Sequence, residues 1–138
     1  MRTCLLVALL CAASNFLPCQ TVSNGVETNF ACVERLQIPT YPSLAKFAVV
    51  DGTVEVSVSL SATATVQEIK LRPNLLTQSV EAALRNATFN SDCGGKTVRL
   101  KFIFEFAGQP SVVPKQFVTF EAPNKFRITS EPQHAIVN

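Results

Sequence analysis

The chain has 138 residues, 12 basic and 10 acidic, for a net charge of +2, with one His and no Trp. Set beside an N-terminal export signal of about twenty residues, the remainder suits one domain large enough to bury a core without a metal. A hydrophobic content of 47% excludes a largely disordered chain, and so mild a charge gives no reason to expect nucleic acid as a partner.

Residues 1–20 read as a secretory signal. Met1-Arg2-Thr3 carries one positive charge, Cys4 to Ala13 is apolar, and smaller residues follow. The apolar run of about ten residues is short of the roughly twenty that a spanning helix needs. Cleavage after Ser14 and cleavage near Cys19 both fit the pattern. The alternative is a retained N-terminal anchor, and only then does the protein meet a membrane. Three of the five cysteines lie in or beside this segment, which leaves Cys32 and Cys93. Two cysteines in an exported domain are a natural disulfide pair; two free thiols are the other reading.

Residues 21–31 are polar and mixed, extended structure is an option over 32–40, and 21–38 as a whole is assigned to a linker. Pro42 suits a first helical position, so one or two helical turns are expected over 43–48. Asp51-Gly52 marks a turn. From Thr53 to Ala62, Val54, Val56, Val58 and Leu60 alternate with Glu55, Ser57 and Ser59, the period of a strand with one wet face. Val66 to Leu71 returns as a second strand. Asn74 is a candidate N-cap for a helix over about 75–87, where Leu76, Val80, Ala83, Leu84 and Ala87 fall at helical spacing. Thr97 to Phe106 is the strongest element: Val98, Leu100, Phe102, Phe104 and Phe106 point one way, and Thr97, Arg99, Lys101, Ile103 and Glu105 the other. Short strands follow at Gln116–Glu121 and Lys125–Thr129, and the last eight residues look frayed. The expected class is α+β: a three-stranded antiparallel sheet packed by helices on one face, in the order α-β-β-α-β, with a short β-rich C-terminal extension.

That order, with Tyr41-Pro42, Ala45, Asp51-Gly52-Thr53-Val54-Glu55-Val56, Val66-Gln67-Glu68-Ile69, Val80-Glu81-Ala82-Ala83, Phe89 and Gly95-Lys96-Thr97-Val98 leading into Phe102-Ile103-Phe104, resembles the C-terminal domain of TonB, the energy transducer of bacterial outer-membrane transport. The resemblance covers residues 39–106 and leaves 107–138 as the extension. Tyr41, Pro42 and Gly52 are its motif positions. It implies a periplasmic domain that binds an extended segment of an outer-membrane receptor by adding it to a sheet edge. It also implies that the long strand offers that edge, through Thr97, Arg99, Lys101, Ile103 and Glu105. Arg99 and Lys101 would then select acidic segments; the other reading makes them solvated charges that discourage aggregation. Residues 107–138 could add strands that cover this edge, which would weaken the expectation. Self-association to a homodimer is a further option.

A complete transducer needs a long spacer, and about 18 residues between signal and domain reach only about 60 Å. A stand-alone exported binding module is therefore the expected function. A membrane-anchored transducer and an unrelated secreted enzyme or inhibitor are the alternatives. No catalytic set emerges: His134 lies in the tail, and Asp51 and Asp92 read as turn residues. Cys32 and Cys93 alone make no metal site, and no cofactor is expected.

Overall fold

The computed structural model describes Val26–Glu27 and residues 32–134. The predicted signal over residues 1–20 lies outside the described residues. Eight strands are described: β1 (Val26–Glu27), β2 (Val33–Arg35), β3 (Gly52–Leu60), β4 (Val66–Lys70), β5 (Thr88–Phe89), β6 (Thr97–Phe106), β7 (Gln116–Glu121) and β8 (Lys125–Ser130). Two helices accompany them, α1 (Ser43–Phe47) and α2 (Thr77–Arg85). The class is α+β. The expected sequence of elements is present as α1, β3, β4, α2 and β6, with the small β5 strand interposed.

The sheet differs from the expectation of three antiparallel strands. Its order is β4-β3-β6-β8-β7, with β1 joined to β6, and a separate pair is made by β2 and β5. β6 runs antiparallel to β3 and parallel to β8, so the sheet is mixed. The chain leaves β6, skips one strand position to form β7 at the edge, and then folds back so that β8 fills the place between them. The alternation of β8 explains why it sits there. Phe126, Ile128 and Ser130 are buried on the core face, in register with Phe102, Phe104 and Phe106.

The core lies between this face and the helices. Val54, Val56, Val58 and Leu60 of β3 and Val98, Leu100, Phe102 and Phe104 of β6 are all buried. α2 covers them with Val80, Ala83 and Leu84, the stripe its spacing predicts. The predicted cap Asn74 acts one turn ahead of the helix: its Oδ1 accepts the Leu76 N–H at 2.8 Å, and the Thr77 hydroxyl donates to its carbonyl at 2.9 Å. The β3–β4 turn has no glycine. Ala64 adopts a positive φ of 58°, and the Ser61 hydroxyl accepts the Thr65 N–H at 3.1 Å.

Residues 32–38, assigned to the linker, belong to the fold. Val33 is buried, Leu36 and Ile38 pack on the core, and Cys32 is joined to Cys93 with their Cα atoms 5.7 Å apart. The cystine holds β2 beside β5 and docks the loop after α2 onto the β3–β4 turn. Gly94 is required for that approach, because a Cβ there would stand 2.3 Å from the Ala62 carbonyl oxygen. The tail is also tied down as far as it is described. Glu131 N–H donates to Lys115 and His134 N–H to Ser111, each at 3.0 Å, which corrects the frayed end expected over these residues.

Candidate protein-binding surface

The five residues expected at a free edge, Thr97, Arg99, Lys101, Ile103 and Glu105, do share one face, but their strand is not an edge. β6 is paired with β3 from Thr97 to Phe104. Its other side is taken by β1 at Thr97–Val98 and by β8 from Lys101 to Phe106. The physical reason is the β7–β8 hairpin, whose buried Phe126 and Ile128 gain more apolar contact beside Phe102 and Phe104 than they would at a solvated margin.

The motif residues are structural. Tyr41 is buried with its ring on Phe104 and Phe106, at centroid distances of 5.2 and 4.7 Å, and its hydroxyl donates to the Val50 carbonyl at 2.7 Å. Burial, then the charges of Asp51 and Glu105, push its phenol up to about 12. Pro42 stands just before α1 with φ −60°. Gly52 opens β3 with φ +149°, a conformation side-chain-bearing residues rarely adopt.

The wet face carries paired charges. Lys101 Nζ lies 2.8 Å from Glu55. Arg127 holds Glu105 at 2.7 Å and Glu121 at 2.8 Å. The hydrogen bond from Lys101, then its charge, lowers the Glu55 carboxyl below its ordinary range; the bond from Arg127 lowers Glu121. A carboxyl depressed in the folded state stabilises the fold above its unfolded pKa, and this contribution fades as pH falls through the folded value. In a carbon-detected NMR titration both groups are therefore expected to protonate below 4.5. Lys101→Met should move Glu55 back toward that value and leave Glu121 in place. Unmoved Glu55 in that variant would show that the pair does not form in solution.

Among the described residues the sheet's open margins are β4 and β7, and they differ in kind. β4 has five residues and carries Glu68 and Lys70, with Gln67 between strand neighbours, a short charged margin of the sort that discourages pairing. β7 carries apolar residues on both faces, with Thr119 and Glu121 beside Phe117 on the wet one. Val118 and Phe120 stand on the core face beside Ile128 and Phe126, and Phe117 stands on the wet face beside Thr129. They are 38%, 46% and 59% exposed. Val112 and Val113 are exposed just before the strand.

A second apolar group, Leu44, Phe47 and Val49, is exposed on and after α1. Val49 closes the helix with φ 52°, its N–H donating to Lys46 and that of Val50 to Ala45. This left-handed position usually belongs to glycine, and a branched side chain there is strained. Gln116 ties β7 to the segment before α1, its Oε1 accepting the Tyr41 N–H at 2.7 Å. The exposed residues of α1 and the start of β7 thus flank one end of the sheet.

The sequence predicts a short strand at Gln116–Glu121 but no role for it. The adjacent pair Phe117-Val118 puts an apolar group on each face, a pattern that by itself does not tell a margin from a strand covered on both sides. Among the described residues, no three His, Cys, Asp or Glu gather as a metal site requires, and no helix is long and apolar enough to cross a membrane. No protein-family model matches the chain, and no curated protein matches it.

Proposed function

We propose that this protein is an exported protein-binding module, of the kind represented by the TonB C-terminal domain, that takes an extended segment of a partner protein as an added strand at β7. The observation that carries the reading is an edge strand that leaves Phe117, Val118 and Phe120 exposed and has no proline or lysine within it. An edge of this composition pairs readily with another extended chain: main-chain bonds supply affinity and alternate side chains fix the register. The α-β-β-α-β order supports the resemblance, while the mixed sheet departs from the three strands it implies, and the Cys32–Cys93 bridge suits an oxidising compartment such as the periplasm.

Random eight-residue peptides displayed on phage and selected on the protein test the reading. Selected peptides are expected to alternate apolar and polar residues and to protect the outward amides of β7 from hydrogen exchange. The double substitution Phe117→Lys and Thr119→Lys places two charges on the wet side of the edge and should weaken their binding by about tenfold or more, since the lost aromatic contact and the two unfavourable charges each cost up to about 1 kcal/mol. Both positions are exposed, so the variant should keep its fold. Peptides that bind the variant as well as the parent would refute strand addition at β7.

A further inference from the structure

The sheet has a second stretch of unpaired backbone, inside its outline. Along its β4 side, β3 is paired only from Ser57 to Leu60. Gly52 to Val56 pair with β6 on the other side, and among the described residues no backbone group bonds to them from the β4 side. Five residues at about 3.3 Å each make a free edge of roughly 17 Å. Beyond Lys70 the chain turns away toward α2 through Leu71, Arg72 and Asn74. An open groove of about 980 Å³ lies between that stretch and β3 and continues over the wet face as far as Lys125.

The charge of this groove is one-sided. Lys70, Arg72, Arg99, Lys101 and Lys125 line it, against the single acid Glu55, which Lys101 already holds at 2.8 Å. Arg72 and Arg99 have no ion pair among the described residues. Lys101 and Lys125 stand directly opposite each other on β6 and β8. Like charges placed so are mutually destabilising, and an anion in the groove relieves the repulsion.

We propose that this groove binds an extended acidic segment of a partner protein, laid beside Gly52–Val56 as a continuation of β4. The proposal rests on the reading that the protein works by strand addition, and adds a second edge and the chemistry of its partner. Free backbone selects a peptide over a simple polyanion, and the basic lining selects its sign. The register selects its pattern. The wet-face neighbours of the guest are Thr53 and Glu55 on β3, with Lys70 abutting one end. An acidic residue therefore fits opposite Thr53 and a neutral one opposite Glu55; the place opposite Ser57 is held by Lys70, so a second acid, just before the guest residue opposite Val56, leaves the ladder there beside Lys70 and Arg72.

A fluorescein-labelled peptide containing glutamate-valine-threonine-valine-glutamate, titrated with the full protein in a fluorescence-anisotropy assay, tests this. Saturable binding is expected at low ionic strength, falling by about tenfold or more in 0.5 M salt, where screening shortens the reach of surface charges. Arg72→Glu with Arg99→Glu, both at exposed positions, should weaken binding by a similar factor. Phe117→Lys with Thr119→Lys should leave it unchanged. The same peptide N-methylated at alternate amides should lose most of its affinity, because methylation removes the donors that pair with β3. If the acidic peptide fails to bind while phage-selected peptides still bind β7, this inference falls and the β7 reading stands. If neither binds, both fall. Equal affinity of the N-methylated peptide, or of inorganic polyphosphate, would reduce the groove to an anion patch and overturn the strand.

Discussion

Replacing Cys32 and Cys93 together by alanine is expected to lower the unfolding free energy by about 4 kcal/mol. The bridge spans a sequence separation of 61 residues, and closing a loop of that length removes about this much entropy-derived stability from the unfolded chain. The structural consequence is local first. The cystine is buried and holds the β2 segment against the loop after α2, where the Asn90 N–H also donates to the Cys32 carbonyl at 2.9 Å. Without it, Val33, Leu36 and Ile38 lose their anchor ahead of Tyr41. Urea unfolding of the double variant, beside the parent with and without reductant, gives the measurement. Reduced parent and double variant should agree within about 1 kcal/mol of each other. A loss well under 1 kcal/mol would mean that the bridge does not form. The intact mass from the native host adds a test of export: it should be short by the signal segment and rise by about 2 Da on reduction, one hydrogen per sulfur.

Phe102→Ala is expected to cost about as much, roughly 4 kcal/mol, by the ordinary penalty for deleting a fully buried aromatic ring. Phe102 has no exposed surface and stacks on Phe126 at 5.3 Å between centroids. It is the centre of a row that crosses the sheet: Val54 on β3, Phe102 on β6, Phe126 on β8 and Phe120 on β7. Removing it leaves a cavity where the β7–β8 hairpin meets β3 and β6, so β7 should lose hydrogen-exchange protection before β3 does. Phe102→Leu keeps most of the volume and should cost about 1.5 kcal/mol or less. Chemical denaturation of both variants checks the pair. A Phe102→Ala loss under about 1 kcal/mol would contradict the packing of this row. Because most domains are stable by only 5–15 kcal/mol, roughly stated, either large loss should also be visible as reduced yield.

The second result bears directly on the proposed function, through β7. The β7 edge is held by the β7–β8 ladder and by the aromatic row, and weakening either removes the platform on which a guest strand would pair. The exposed binding residues and the buried supporting ones can therefore be separated: charges at Phe117 and Thr119 should reduce binding at constant stability, and Phe102→Ala should reduce both.

What the chain's own order of residues determined is the local structure. The strict period of two over Val54–Leu60 and over Val98–Phe106 set both strands and both of their faces, because alternation on a pleated backbone admits one partition. The spacing of Val80, Ala83 and Leu84 set α2 and its buried stripe. Two cysteines left after the N-terminal segment fixed the only disulfide available to the described residues. What the tertiary structure alone decided is which strand lies at the margin. Alternation specifies what a strand buries above and below, but says nothing about its neighbours to left and right, since main-chain groups pair without regard to side chain. The long strand looked like an edge while only three strands were counted. β8 took that place because Phe126 and Ile128 complete the apolar rows of Phe102 and Phe104, a contact between positions 24 residues apart that no local pattern announces. The basic groove arose the same way: Lys70, Arg99 and Lys125 are scattered in sequence, and only the register of four strands gathers them beside the free backbone of Gly52–Val56.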